Sequence, residues 1–303
     1  MTEKLYWLFG FVGLYWAYCL YWGIKGARSA KTSTDYFLAG GSIGVWVFVL
    51  AATATSFSGW TFVGHPGKIF TDGLPYAFAS FYALTIPLTG VLFLRRQWVL
   101  GKAYGYITPG EMYSDYYGGN SIRLLTVLVA FLFSVPYLGV QLRASGDLFN
   151  VLTDGLISVD VGMFALSTVV MIYVASGGLK SVAFVDCAQA ILLAVGIMVL
   201  GGVTLNYLGG WSSFTAGLAD LVRSDIESGN NLTLDGFSKK VAIPGSIQMV
   251  TQGSDSIGGS WTGIMCMTYM FALMGIQSSP AFSMWAFSNK TSQAFRWQQV
   301  FAS

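Results

Sequence analysis

The stretch best suited to bind a ligand is residues 50–67, which read LAATATSFSGWTFVGHPG. Its five hydroxyl residues surround Gly59; they are Thr53, Thr55, Ser56, Ser58 and Thr61. The stretch is apolar enough for a bilayer, yet these small residues interrupt it, and an interrupted helix leaves backbone amides and carbonyls without partners. Membrane proteins tolerate such a break where the backbone groups face a cavity, an ion or a substrate. The pattern therefore predicts a broken transmembrane helix that binds a cation and a small solute.

A second apolar helix, residues 261–287, carries a similar break near Ser278, Ser279 and Pro280. It lies five spans after the first, so the two helices occupy equivalent places if the chain contains two five-helix repeats. Paired interrupted helices mark the midplane site of transporters built on inverted repeats. Carbonyl and hydroxyl oxygens at such breaks suit sodium, and a half-helix N-terminus suits a carboxylate. The structural alternative is that each break is a kink packed against a neighbouring helix.

Charged residues in the apolar spans also have two readings. Asp186 begins the sixth span, with Gln189 one turn on. An acidic residue at membrane depth is a functional candidate, whereas at the headgroup level it would be only a helix N-terminal charge. Arg143 and Asp147 are spaced i, i+4 and could neutralise each other, which favours a structural pair.

Two uncharged polar residues of the fourth span, Tyr137 and Gln141, lie one turn apart and share a helix face. They could line a cavity, and a packed tyrosine is the alternative. His65, the single histidine, sits in a Gly-His-Pro-Gly sequence and is interpreted as a loop residue rather than a proton relay.

Composition identifies the class of protein. Hydrophobic residues make up 54% of the chain and charged residues 10%, against roughly 25% charge in soluble domains. Apolar runs of about 20 residues recur, which is the length that crosses a bilayer. The net charge is +2, and the basic residues sit in short loops without forming a basic face, so no nucleic-acid partner is expected. No nucleophile–base set or phosphate loop is present, so an enzyme is not expected. The three cysteines lie in apolar runs and are expected to be free thiols.

Seven spans are expected, in an all-α polytopic membrane protein. They are about residues 5–24, 43–66, 75–94, 123–150, 160–176, 184–205 and 261–287. A basic loop with Arg95, Arg96 and Lys102 should follow the third span, a tight turn at 177–180 should join the fifth to the sixth, and 209–260 should form a long polar connection. The basic loops should be cytoplasmic, which puts the N-terminus outside.

Four segments resemble the sodium/solute symporter family, which includes proline, pantothenate, sugar and sialic acid cotransporters. They read DYFLAGGSIG, AATATSFSGWTFVGHPG, YLGVQLRASG and TVVMIYVASGGLKSVAFVDCAQ, and the last is similar to the family's signature. The resemblance, from about residue 35 to the C-terminal end, implies a five-plus-five inverted repeat with an extra N-terminal helix. The expected divisions are residues 1–34 for that helix, 35–208 for the first repeat, 209–260 for an extracellular or periplasmic loop, and 261–303 for the start of an incomplete second repeat.

The resemblance also implies roles for particular residues. Sodium would be held partly by the main-chain carbonyls of Ala54 and Phe57, and Asp186 would be a functional aspartate near a second sodium position. Together with the shared face on the fourth span, it gives these expected solute contacts: Ser58, Gly59, Trp60, Thr61, Tyr137, Gln141 and Pro280.

Several positions depart from the proline-type members of that family. Ser56 stands where those members have an aspartate, and Gly41 where they have an arginine. Ala272 and Ile276 replace their aromatic residues. Proline is therefore not the expected solute. The hydroxyl pair that completes the family's sodium shell would lie beyond Ser303, so a piece of a longer transporter is expected.

The leading hypothesis is a secondary active transporter of the plasma membrane (the inner membrane of a bacterium) that couples sodium entry to uptake of a small organic solute by alternating access. One alternative is a symporter-like sensor module fused to a histidine kinase. Another is a non-transporting membrane fragment, in which the paired breaks have no role. The solute, the sodium stoichiometry and the oligomeric state are not specified by the sequence.

Overall fold

The computed structural model describes residues 3–72, 82–228, 267, 268, 271, 275 and 279–302. The chain divides into two compact units. The first consists of Met1–Val63, Ile86–Ala190 and Gly275–Ser303, and the second of Gly64–Thr85 and Ile191–Met274. All the candidate site residues belong to the first unit.

The described residues are almost entirely helical. The α-helices, in chain order, are α1 (Glu3–Ser29), α2 (Ser33–Leu38), α3 (Val45–Ser56), α4 (His65–Asp72), α5 (Tyr82–Tyr104), α6 (Pro109–Tyr117), α7 (Ser121–Leu152), α8 (Val159–Tyr207), α9 (Trp211–Ser228), α10 (Pro280–Ser288) and α11 (Gln293–Ala302). A 3₁₀ turn covers Ala39–Gly41 and a π-helical turn covers Trp60–Gly64.

Three of these helices, α1, α7 and α8, are long and apolar enough to cross a membrane. A fourth candidate is the broken pair Val45–Ser56 and Trp60–Phe70, whose two segments are bent by 57°. These counts refer to the described residues. Several apolar helices in a nearly all-helical chain confirm the prediction of an all-α, polytopic membrane protein.

Two predicted loops are partly helical. Helix α5 runs to Tyr104, so Arg95, Arg96 and Lys102 lie on a helix, and the loop predicted there is wrong. Arginine and lysine are good helix formers, and their long side chains reach water while the helix continues. The predicted connection after residue 208 begins with α9. Residues 229–266 and most of the seventh span, including Ala272 and Ile276, lie outside the described residues.

The short helix α2 begins the motif DYFLAGG and is fixed by a capping box. The backbone N–H of Asp35 donates to the Thr32 hydroxyl, and the Asp35 carboxylate accepts from the backbone N–H groups of Thr32 and Lys31. The hydrogen bonds from Thr32 and Lys31 lower the pKa of Asp35, because they stabilise its charged form.

The predicted turn at residues 177–180 is found at Gly178. This residue has φ 58° and ψ −159° inside α8, a conformation that side chains with a Cβ avoid. Val169 and Tyr173 before the turn share a buried cluster with Val185 after it, so the two parts of α8 pack together. The turn thereby places the residues around position 186 back inside the bundle.

The main buried core forms around α3. Phe48, Ala51 and Ala52 of α3 are fully buried, and Phe282 and Trp285 of α10 share their cluster. Small alanine side chains allow helices to approach closely.

The start of α3 is also tied to the end of α10 by the backbone. Ile43 N–H donates to the Ser288 carbonyl at 3.2 Å, and Lys290 N–H donates to the Ile43 carbonyl at 3.0 Å. Side-chain packing and this backbone pair together fix α3 against α10.

We expect Gly178→Ala to lower the melting temperature of the purified protein. A Cβ at Gly178 would lie 2.4 Å from the carbonyl oxygen of Tyr36, and the backbone strain alone costs about 1–3 kcal/mol. The matched control is Gly13→Ala in α1, where nothing lies within 4 Å of the added Cβ. Equal melting temperatures for the two variants, measured in detergent, would contradict the strained turn.

Candidate functional site

The break in the first interrupted helix is two residues long. Helix α3 ends at Ser56, Phe57 is extended with φ −85° and ψ 132°, and the helix resumes after Ser58. The last turn of α3 is weakened by its own hydroxyls. Thr55 Oγ1 lies 2.9 Å from the Ala51 carbonyl, and Ser56 Oγ lies 3.2 Å from that of Ala52, a type of side-chain hydrogen bond that destabilises and bends helices.

Side chains satisfy the backbone amides at the break. Ser58 N–H donates to Thr61 Oγ1 at 3.3 Å, which is one half of a capping box, and Trp60 N–H donates to Ser58 Oγ at 3.2 Å. Gly59 N–H donates to Oε1 of Gln141 on α7. The expectation that the break offers free amides is therefore wrong for these three residues, because a backbone N–H away from water must have a partner.

Gly59 lets α7 come close enough to supply that partner. A Cβ at Gly59 would lie 2.7 Å from the Cβ of Ala144 and 3.0 Å from Gln141 Oε1. One turn before Gln141, Tyr137 stacks on Phe133 with ring centroids 5.5 Å apart, and 39% of Tyr137 remains exposed. The tyrosine is thus packed on one side and accessible on the other.

Asp186 lies inside the helix bundle. It is 9% exposed, and its Oδ2 is 3.4 Å from the hydroxyl oxygen of Thr55 on α3. Within the described part of the chain no lysine or arginine forms an ion pair with it. A buried carboxylate without a counter-charge is costly, so a bound cation would stabilise this position. Asp186 is therefore buried among helices rather than exposed at a helix end.

Oxygen atoms near the end of α3 keep lone pairs that a hard cation could use. The Ala54 carbonyl accepts one hydrogen bond, from Phe57 N–H at 3.0 Å, and a carbonyl oxygen has a second lone pair. The hydroxyl of Thr53 is buried and has no hydrogen-bond partner in the described residues. Carboxylate, carbonyl and hydroxyl groups are the ligands that hard cations prefer.

The structure also tests the expectations for the Arg143–Asp147 pair, for His65 and for the second break at Pro280. Arg143 Nε and Asp147 Oδ2 are 3.0 Å apart on an exposed face of α7, in agreement with a structural pair. His65 lies in helix, at the first residue of α4 directly after the π-helical turn, and is not a loop residue. Pro280 is the first residue of α10, so a helix begins at the predicted second break. Residues 276–278 lie outside the described part of the chain.

The structure adds one residue to the site that sequence reasoning did not select. Trp285 Nε1 donates to Thr55 Oγ1 at 3.1 Å, which joins α10 to the hydroxyl beside Asp186. The sequence offered one indication of such a role, a tryptophan in an apolar helix. A buried indole N–H usually has a hydrogen-bond partner. Nothing in the sequence spacing connects position 285 with position 186.

The model of the sodium:solute symporter family matches residues 36–258. Solute carrier family 5 member 4B of Mus musculus is 28% identical over 204 residues, which is 67% of this chain and 30% of the relative. The sodium/proline symporter of Escherichia coli (strain K12) is 28% identical over 193 residues, 61% of this chain and 37% of the relative.

The fold is also found in a solved structure. The substrate-bound outward-open state of a Na+-coupled sialic acid symporter superimposes with a TM-score of 0.72 at 19% identity, covering 100% of this chain and 56% of that one. The chain thus spans about a third of the length of the two curated relatives and just over half of the solved neighbour.

We expect Gly59→Ala to destabilise the protein by about 1–3 kcal/mol, because the added methyl group overpacks the contact with α7. Ala144→Gly removes the atom nearest to that methyl group. In the double variant the second substitution should recover part of the loss, measured by denaturation of all four proteins as a double-mutant cycle.

The Ala144→Gly protein is the reference for the cycle, since glycine within a helix itself costs about 1 kcal/mol. Strictly additive effects of the two substitutions would mean that Gly59 and Ala144 are not in contact.

Proposed function

Since the chain belongs to the sodium:solute symporter family, we propose that it is part of a secondary transporter that couples sodium entry to uptake of a small organic solute by alternating access. The observation that supports this most directly is the buried carboxylate of Asp186, which faces the broken helix α3 and has no ion-pair partner among the described residues. A functional role is the usual reason for an ionisable residue at such a position.

The proposed sodium ligands are the carbonyl groups of Ala54 and Phe57 together with the Asp186 carboxylate. When bound, sodium supplies the downhill movement that drives accumulation of the solute. The part of this chain is to hold oxygen atoms in place: the end of α3 directs carbonyls away from the helical hydrogen-bond pattern, because Phe57 is extended. The Gly178 turn brings Asp186 to α3.

The proposed solute contacts surround the resumption of the helix. They are Ser58, Gly59, Trp60 and Thr61, with Tyr137 and Gln141 on α7 and Pro280 at the start of α10. The Gly59 amide is the one amide of the break whose partner comes from another helix. A solute carboxylate could replace the Gln141 side chain as its acceptor, because both present oxygen lone pairs. Ser56 in place of the aspartate of proline-type members argues for a solute other than proline.

The arrangement in the membrane is part of the same proposal. The protein would reside in the plasma membrane, the inner membrane in a bacterium, with its N-terminus outside and its basic loops in the cytoplasm. Residues 35–208 would form the first repeat, 209–260 an outer loop, and 261–303 the start of an inverted second repeat related to the first.

We expect the full-length protein, reconstituted in proteoliposomes, to accumulate solute when an inward sodium gradient is imposed. A panel of radiolabelled amino acids and monosaccharides serves as the probe. Replacing external sodium with potassium should reduce uptake to the level of protein-free liposomes, because the coupling ion is absent. Equal uptake rates in sodium and potassium would contradict sodium coupling.

We expect Asp186→Asn to abolish the stimulation of solute uptake by sodium without lowering the melting temperature measured in KCl without sodium. The amide has nearly the same shape, and it removes a buried charge that lacks a counter-ion. Asp147→Asn is the control: Asp147 pairs with Arg143 on an exposed face, and loss of such a pair costs about 1 kcal/mol or less. Sodium-stimulated uptake by the Asp186→Asn protein would contradict the proposed ligand role.

A further inference from the structure

Trp285 is held in one position on α10. It is 2% exposed, and its ring contacts Phe48 of α3 edge-on, with centroids 6.4 Å apart and an interplanar angle of 71°. From this position its indole N–H donates to the hydroxyl oxygen of Thr55 at 3.1 Å. The donor therefore reaches Thr55 from a side chain with little freedom to move.

The Thr55 hydroxyl is shared among three groups. It has one proton and two lone pairs, and the indole N–H uses one lone pair. Two acceptors lie near the proton, the Ala51 carbonyl at 2.9 Å and the Asp186 carboxylate at 3.4 Å. Since the proton cannot point at another donor, Trp285 restricts the hydroxyl to two settings.

The two settings present different groups to Asp186. When the Thr55 hydroxyl donates its proton in a hydrogen bond to the Ala51 carbonyl, a lone pair of Thr55 lies beside the carboxylate. A cation bound there requires this arrangement. When the Thr55 hydroxyl instead donates a hydrogen bond to Asp186, that bond stabilises the carboxylate charge in place of a cation. Without the indole donor, the hydroxyl could also rotate its proton into the place now occupied by the indole N–H. In that third orientation the proton contacts neither Ala51 nor Asp186.

We propose that Trp285 is a positioning residue for the sodium site, acting on Asp186 through the hydroxyl of Thr55. The inference rests on the proposed function, because it takes Asp186 as a sodium ligand. It adds a physical link between ion and solute: Trp285 and Pro280, a proposed solute contact, lie on the same nine-residue helix. By linkage, any change in sodium affinity that a solute at Pro280 causes through α10 would be matched by an equal change in solute affinity on sodium binding.

The chain contains a matched control at the other end of α10. Trp98 also donates its indole N–H to an oxygen, the carbonyl of Asn289, at 3.0 Å. It belongs to the same compact unit, but its bond is to the backbone after α10 and not to the hydroxyl beside Asp186. Trp98→Phe thus removes an equivalent hydrogen bond outside the proposed site.

The experiment detects sodium binding in the absence of solute, through the stabilisation of the folded protein that binding causes. Full-length protein in detergent is melted over a series of NaCl concentrations, with KCl replacing NaCl at constant ionic strength. Losing one neutral hydrogen bond should raise the sodium concentration for half-maximal stabilisation about three- to tenfold in Trp285→Phe. Trp98→Phe should leave that concentration unchanged, even if its melting temperature falls.

Two further variants separate positioning from folding. Benzothienylalanine at position 285 keeps the two-ring shape of tryptophan and lacks the N–H, so it should reproduce the weakened sodium response with intact packing. Thr55→Val should weaken the response as well, and adding Trp285→Phe to it should produce no further change, since both remove one interaction. Thr55→Ser keeps the hydroxyl and should restore the response.

The outcomes distinguish the two proposals. An unchanged half-maximal sodium concentration in both Trp285 variants, or an equal increase in Trp98→Phe, overturns the positioning role and leaves sodium coupling intact. A wild-type protein that sodium stabilises no more than potassium overturns the proposed function, and the positioning role with it.

Discussion

The structure around α3 depends on one constraint: a backbone amide in an apolar environment must have a hydrogen-bond partner. Two residues, Phe57 and Ser58, leave the helix, and the amides that follow would lose their partners. Ser58 and Thr61 supply two of them locally, and Gln141 supplies the third from α7. A helix break in this chain is therefore a property of two helices and not of one.

A buried charge is under the same constraint as a buried amide. Asp186 is buried, so it needs hydrogen bonds or a cation. The fold brings groups to it from two other helices: the hydroxyl of Thr55 on α3, and Trp285 of α10 through that hydroxyl. The backbone pair between Ile43 and Ser288 joins the same two helices at the far end of α3. These two connections, one at each end of α3, hold α3 and α10 in a fixed position relative to each other beside the proposed site.

Sequence reasoning performs best where a physical requirement is local. The break near Ser58, the turn at Gly178 and the Arg143–Asp147 pair all follow from residue types within a few positions of one another. It fails at Tyr104, where α5 ends ten residues later than expected, because basic residues end a hydrophobic pattern without ending a helix.

The sequence by itself determines the class of protein, the place of the break and the family resemblance, because apolar length and small hydroxyl residues act on the chain locally. Only the tertiary structure decides which groups complete the break and what surrounds the carboxylate. Gln141 and Gly59 are 82 positions apart, and Trp285 and Thr55 are 230 apart. No periodicity extends over such distances, so these partners follow from how the helices pack.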